Sequence, residues 1–483
     1  MLQLVLGPSG SGKSSYLLGR IKARAEAGRR SLLLVPEQFT SSTENRIYTL
    51  LGDEYSGWVE SHSFTSLSEK LLNTYGGAAV RTLTDAGRAV LVRRALEAMG
   101  DTVHYYSRHR RSTAFCEKCA ETLNELKSAG ISAPQLEQLA AGAGASGEKL
   151  RELAGVYAAY QALLEGSAMD PTDRVAAAAE RLAPEFFEGV EVFIDEFDTF
   201  NAPKRKMLEA MLGCAQSITV ALCADGLEDR EGGLGLFSGA KKMAGALREM
   251  ARKNGVAVAS PVILTEDKRH KNAPDLARLA ALLAGDMPAP GPADPGQLTL
   301  LRAEDRQTEA KLAAAAVAKL ARAGVPYGKM AVICRDASQY LAAVRYEFRL
   351  AGVPLFFDEP ASAEHAAPLR LVKALLSIVR RGVSTETVLA VAKTGLTSLS
   401  EAELCALENY AYTWQLSAAQ WQQPFTLSPA GFGGEMRPAD AEQLALAEAA
   451  RAKLAPVLAN FAASARKKPA AALCETLFRT MLA

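Results

Sequence analysis

The chain has 483 residues, which at roughly 150 residues per domain allows about three domains. Hydrophobic residues make up 49% and charged residues 23%, so wholesale disorder is excluded. With 55 basic against 54 acidic residues the net charge is +1, and no global basic field marks the chain for nucleic acid or a membrane surface; only a local basic groove could do so. No uninterrupted apolar run reaches about 18 residues, so no transmembrane helix and no membrane partner is expected. The opening MLQLVLGPSGSGKSS lacks a basic leader and a small-residue cleavage site and reads as a first strand, not a secretory signal. Seven scattered cysteines do not form a disulfide framework and fit a reducing cytoplasm.

Residues 2–6 (LQLVL) form a short apolar run ending at glycine, a buried-strand signal, and 15–27 follow with helical periodicity up to Gly28. Residues 31–35 (SLLLV) are a second buried strand stopped by Pro36. Strand, glycine loop, helix and strand in that order predict a right-handed βαβ unit and a parallel sheet. From about Thr84 to Leu182 the chain reads as helical, with breaks near 101–104, 130–134 and 142–147. Strand character returns at 190–194 (VEVFI) and 218–223 (ITVALC), which makes the helical stretch an insertion into an α/β core. Residues 284–298 are dense in proline and glycine and read as a linker. A second α/β pattern follows, with helix 305–323, strand 330–334, helix 337–351 and strand-like VPLFF at 353–357. Helices fill the rest, and the chain stops inside an amphipathic pattern, which reads either as a natural C-terminal helix or as a piece of something longer.

Gly7-Pro8-Ser9-Gly10-Ser11-Gly12-Lys13-Ser14, followed by Ser15, fits G-x-x-x-x-G-K-[ST] with an apolar strand before it and a helix after it. Glycines let backbone N–H groups converge on phosphate oxygens, and the helix N-terminus adds positive partial charge. Lys13 is then expected on the β- and γ-phosphates of ATP and Ser14 on Mg²⁺. The loop needs an acidic partner at a neighbouring strand end, and Phe193-Ile194-Asp195-Glu196 supplies one: Asp195 for the metal, Glu196 to polarise an attacking water. The competing reading of that pair is an acidic surface turn. Asp198 reads as a helix N-terminal carboxylate.

Beyond the phosphate loop, Val35-Pro-Glu-Gln-Phe-Thr40 resembles motif Ia of superfamily 1 helicases. Val59-Glu-Ser-His-Ser-Phe-Thr-Ser-Leu67 resembles their next DNA-contacting motif, and Ala331-Val-Ile-Cys-Arg335 resembles motif IV at the start of a second motor domain. The VPEQFT hexapeptide, Lys393-Thr-Gly-Leu396 and Leu407-Glu-Asn-Tyr410 narrow the resemblance to the AddB subunit of the AddAB helicase–nuclease family, over essentially the whole chain. The resemblance implies a first RecA-like P-loop domain (1–83 and 184–283), a helical insertion (84–183), a linker (284–297), an incomplete second RecA-like domain (298–380) and an incomplete helical region (381–483). It implies ATP and Mg²⁺ as cofactors, an AddA-like heterodimer partner, single- and double-stranded DNA as ligands, and work on double-strand breaks for recombinational repair in the cytoplasm.

This chain shows no counterpart of the family's nuclease carboxylates, of the clustered cysteines that hold its iron–sulfur cluster, or of helicase motifs V and VI. Residues 216–223 also lack the Asp-Gln-Ser pattern of motif III, which weakens any coupling of hydrolysis to movement. Three alternatives stay open: an autonomous ATP-driven translocase, a small-molecule P-loop kinase, and a scaffold whose nucleotide site does not hydrolyse. Arg335 is a candidate to reach a γ-phosphate, against a surface salt bridge. Thr40, Ser61, His62, Ser63 and Phe64 are candidate DNA contacts, hydroxyls to phosphate and ring to base; a helix N-cap at Ser63 with Phe64 in the core is the rival and compatible reading. Cys116 and Cys119 are too few for a zinc site and read as structural. Tyr105, Tyr106 and Arg108-His-Arg-Arg111 form a basic–aromatic run, either solvated or against a DNA backbone. Trp414 and Trp421 read as helix packing.

Overall fold

The computed structural model describes residues 1–165, 168–229, 232–291, 297–357, 363–433 and 435–482. Two compact units divide the chain, Met1–Leu301 and Arg302–Ala483. The division falls just after the proline-rich stretch read as a linker, whose residues 292–296 lie outside the described residues.

The first unit is built on a parallel sheet of β1 (Leu2–Gly7), β2 (Ser31–Leu34), β3 (Val59–His62), β4 (Glu191–Ile194), β5 (Ile218–Cys223) and β6 (Val262–Ile263), in the order β3-β2-β4-β5-β1-β6. Side chains alternate faces along a strand, and here both faces are buried, which is why these strands read as continuous apolar runs. Leu4, Leu6, Leu32, Leu34, Val192, Ile194, Val220 and Leu222 point into one core, while Val5, Leu33, Phe193 and Ala221 point into the other. The second face is covered by α1 (Lys13–Glu26) and α2 (Thr40–Tyr55) through Leu17, Ile21, Ile47 and Leu51. The first is covered by α3 (Phe64–Tyr75) and by helices described below.

The helical insertion comprises α4 (Asp85–Met99), α5 (Thr113–Ala129), α6 (Ala133–Ala141), α7 (Gly147–Leu164) and α8 (Pro171–Glu180). It has its own core of Val92, Leu96, Leu123, Leu136, Tyr157 and Tyr160, and belongs to the same compact unit as the sheet. A cluster of buried Lys127, Asp170 and Tyr160 with the half-exposed Asp173 ties it together: Lys127 of α5 lies 3.4 Å from Asp170 and 2.5 Å from Asp173, and the Tyr160 hydroxyl donates to Asp170 at 2.8 Å. The remaining helices of this unit are α9 (Ala202–Cys214), α10 (Ser238–Lys253) and α11 (Pro274–Leu283). Asn201, not Asp198, caps α9, its side chain accepting from the Lys204 N–H.

The second unit is helical among the described residues: α12 (Arg306–Arg322), α13 (Ala337–Leu350), α14 (Ala367–Arg381), α15 (Thr385–Ala392), α16 (Glu401–Trp414), α17 (Pro438–Ala465) and α18 (Ala470–Leu482). One core joins α12 and α13 around Ala310, Ala314, Val344 and Phe348; a larger one gathers Leu375, Ile378, Leu407, Tyr410, Trp421 and Phe461. The strands expected at 330–334 and 353–357 are not formed. Their composition suits a strand, but a strand exists through its ladder, and every described ladder lies in the first unit. Ile333 and Phe356 stand 93% and 87% exposed instead, while Val353 joins the α12–α13 core. Conversely, β3 was not expected as a strand: VESH lacks apolar alternation, and pairing with β2 makes it one. No helix among the described residues is long and apolar enough to cross a membrane.

Candidate functional site

The glycine-rich loop expected to bind phosphate forms where β1 ends. A Cβ at Gly7 would lie 2.6 Å from the Leu264 carbonyl oxygen, so the strand turns there with no room for a side chain. Gly12 adopts φ +91, a left-handed geometry that glycine takes without steric cost, and it launches α1 with no side-chain cap. The first amides of α1 are therefore left for an outside acceptor, at the positive end of the helix dipole. Lys13 Nζ donates to the carbonyls of Gly7 at 2.8 Å and Pro8 at 2.9 Å. Ser11 Oγ is buried without a hydrogen-bond partner.

The acidic half arrives on β4, tied to α1 by Glu191, which pairs with Arg20 at 2.5 Å and Arg24 at 3.1 Å. Asp195, 7% exposed, follows the last residue of β4; its N–H donates to Leu34 O at 3.0 Å, and its Oδ1 accepts from the Glu196 N–H at 2.9 Å. Glu196 has φ +64, a conformation that costs a residue with a Cβ about 1–2 kcal/mol. Its carboxylate pairs with Arg46 of α2 at 3.1 Å. Since β5 lies between β4 and β1, the two halves are separated by two strand spacings, about 10 Å. They line one cavity of about 770 Å³: Gly12, Lys13 and Ser14 on one side, Asp195 and Glu196 on the other. Burial lowers the Lys13 pKa below its ordinary value, partly opposed by Cys223 and Asp195 and reinforced by Arg269.

Three cations of this cavity went unnoticed in the sequence: Arg46, Lys268 and Arg269. The chain after β6 folds over the loop, with the Lys268 N–H donating to Gly10 O at 3.0 Å and Arg269 Nη1 to Ser9 Oγ at 3.0 Å. Asp267 fixes this turn, accepting from the N–H groups of Arg269 and His270 and meeting His270 Nδ1 at 2.8 Å. A Cβ at Gly12 would come within 3.7 Å of Lys268 Nζ, so that ammonium overhangs the start of α1. The signal available was the consecutive basic run Lys268-Arg-His-Lys271, though only the crossover brings it to the loop.

The glycine-framed amides, the partnerless Ser11 hydroxyl and the ring of Lys13, Lys268 and Arg269 suit a polyphosphate. The donors present, the Ser14 hydroxyl and the Asp195 carboxylate lining one cavity, suit a hard cation that takes one or two carboxylates and completes its shell with phosphate oxygens and water, as Mg²⁺ does.

The other predicted residues fall elsewhere. Thr40 is the first residue of α2, and its hydroxyl donates to Glu37 O at 3.1 Å. Ser61 lies in β3 with a buried, partnerless hydroxyl. His62 meets Ser66 Oγ at 3.2 Å and Glu60 at 3.4 Å. Ser63 caps α3 through a reciprocal box with Ser66. Phe64 is 2% exposed and packs edge-on against Phe197 and Phe200, so the base-stacking role expected of it is not open to its ring. Arg335 is exposed in the second unit, immediately before Asp336, which caps α13. Cys116 and Cys119 are buried in the insertion core, where burial pushes the Cys119 thiol up to about 12. Trp421 is fully buried and donates its indole N–H to Thr385 Oγ1 at 3.1 Å.

Residues 4–280 match the family model described as "ADDB, N-terminal". The chain is 30% identical over 442 residues to the B subunit of the ATP-dependent helicase/deoxyribonuclease of Symbiobacterium thermophilum, and 31% identical over 437 residues to the protein of the same name from Moorella thermoacetica. Each alignment covers 87% of this chain and 38% of the relative. A third such protein, from Clostridium perfringens, is 26% identical over 435 residues, again 87% of this chain and 38% of its own length. The chain thus spans under two-fifths of the length of these relatives. With the family model matched over more than half of its residues, the chain belongs to the AddB N-terminal family.

Proposed function

We propose that this chain is the ATP-binding, DNA-binding, helicase-like part of an AddB-type subunit, which processes DNA double-strand breaks for recombinational repair in the cytoplasm together with an AddA-like partner. The observation that carries the reading is the single cavity shared by the phosphate loop and the strand-end carboxylates. A bare glycine turn would need neither a buried acid two strands away nor three further cations around it.

In this reading Lys13 exchanges the Gly7 and Pro8 carbonyls for β- and γ-phosphate oxygens, and the α1 amides hold the rest of the chain of phosphates. Ser14 and Asp195 hold Mg²⁺, which when bound neutralises phosphate charge. Lys268 and Arg269 add charge from the opposite wall. Glu196 orients a water and accepts its proton. Thr40 and His62 stay as candidate DNA contacts after β2 and at the end of β3, whereas the Ser61 hydroxyl is buried and the buried Ser63 is committed to capping α3, so neither is open to a phosphate. Titrating a fluorescent ATP analogue with Mg²⁺ into the chain tests the site. Lys13→Ala should remove binding, and unchanged affinity would overturn the assignment.

A further inference from the structure

The connection between α4 and α5 contains His104-Tyr-Tyr-Ser-Arg-His-Arg-Arg111, with three arginines, two histidines, two tyrosines and no carboxylate. Its backbone is fixed from beneath. Glu152 of α7, itself only 8% exposed, accepts hydrogen bonds from three successive N–H groups: His104 at 2.6 Å, Tyr105 at 2.5 Å and Tyr106 at 3.1 Å. Glu152 enters no ion pair among the described residues. Burying a carboxylate is costly unless strong hydrogen bonds compensate it, and here they go entirely to shaping a surface loop.

The loop displays a graded aromatic stack. The Tyr106 ring lies 5.0 Å from Phe115, whose helix belongs to the insertion core, and Tyr105 stands edge-on to Tyr106 at 5.0 Å. Tyr105 remains 53% exposed, an aromatic ring held by its neighbours with much of its surface in solvent. Arg110 turns back to donate to Gly100 O at 3.3 Å, whereas Arg108 and Arg111 are exposed and enter no ion pair among the described residues. A near-neutral chain therefore concentrates unpaired guanidinium groups beside an open ring on a fixed backbone.

We propose that this loop is a single-stranded DNA contact on the helical insertion, with Tyr105 stacking on a base and Arg108 and Arg111 binding flanking phosphates. Stacking requires an unpaired base, which is why a single strand fits better than a duplex. Glu152 acts through the loop as a positioning residue. The proposal rests on the DNA-binding reading above, and it adds a site on the insertion, away from the nucleotide cavity.

The test is fluorescence anisotropy of the whole chain with a labelled oligothymidylate, repeated over a range of salt concentrations. Arg108→Ala with Arg111→Ala should weaken binding at least about tenfold and flatten the plot of log affinity against log salt by about 1.4, two phosphates at roughly 0.7 each. Tyr105→Ala should weaken binding about 5- to 100-fold and leave that slope unchanged. Melting curves and binding of the ATP analogue should match wild type for all three changes. If wild type binds the oligonucleotide and these variants bind it equally well, this inference fails and the general DNA reading stands. If wild type binds no DNA while still binding nucleotide, both fail. If polyglutamate displaces the oligonucleotide as effectively as unlabelled oligothymidylate does, the loop is a site for an acidic protein and the inference is overturned.

Discussion

Arg46 Nη1 lies 3.1 Å from Glu196 Oε1, joining the second turn of α2 to the residue after the buried aspartate that follows β4. That link holds a glutamate whose backbone sits at φ +64, where glycine would be at ease. A strained residue lining the cavity shared by the glycine-rich loop and the strand-end carboxylates is the pattern expected where side-chain placement outweighs stability.

Replacing Glu196 separates these two demands. Glu196→Gly relieves the backbone and should be more stable than Glu196→Ala by about 1 kcal/mol. The lost pair with Arg46 subtracts little from either, because half-exposed pairs contribute about 0–1 kcal/mol. Urea denaturation of the two variants measures the difference. Both should keep nucleotide affinity within about threefold and lose at least about a hundredfold of any hydrolysis the wild type shows.

Ser11→Ala should raise, or leave unchanged, the stability of the nucleotide-free chain. A buried hydroxyl without a partner costs about 1–3 kcal/mol, and alanine removes it. A loss of more than about 1 kcal/mol would mean the hydroxyl has a partner the geometry does not reveal.

The pH profile of nucleotide binding should carry the signature of Lys13. Burial lowers its pKa below the ordinary 10.5, and phosphate binding needs the charged form. Affinity is then full below the lowered pKa and is lost as pH rises through it, earlier than for an unperturbed lysine. Calorimetric titrations between about pH 7 and about pH 10 should show this decline, with proton uptake on binding at the alkaline end. Lys13→Arg should bind more weakly but with a flat profile, since its guanidinium stays charged.

Asp170→Ala should destabilise the first unit by about 3–5 kcal/mol, because it leaves a buried Lys127 ammonium with one partner fewer and a buried Tyr160 hydroxyl with no partner among the described residues. It also removes the cap of α8, since Asp170 accepts from the Thr172 N–H. Thermal unfolding checks this, and ATP-analogue binding by the surviving folded protein should stay close to wild type.

Local physics made much of the first unit legible. Strands β1, β2, β4 and β5 announce themselves because burial on both faces demands unbroken apolar runs, and the sequence places each within a residue or two of its observed bounds. The glycine-rich loop at 7–14 is legible for the same reason: its glycines and its lysine follow a strand and precede a helix. β3 was hidden, because its polar VESH takes strand form only by lying beside β2. The runs at 330–334 and 353–357 mislead in the opposite sense, apolar enough for strands yet without a described neighbour to pair with.

Chain order and side-chain chemistry alone determined the α/β class, the glycine-rich turn at residues 7–14 between a strand and a helix, and the acid at 195, since each depends on neighbours within a few residues. Only the tertiary structure decided what surrounds that turn. Sheet order brings Asp195 within two strands of Lys13, the crossover after β6 lays Lys268 and Arg269 over the loop, and α2 delivers Arg46 to Glu196. Those partners lie about 30 to 260 positions away in sequence from the loop, so no local periodicity encodes them; the ladder pairing of the sheet fixes which of them meet.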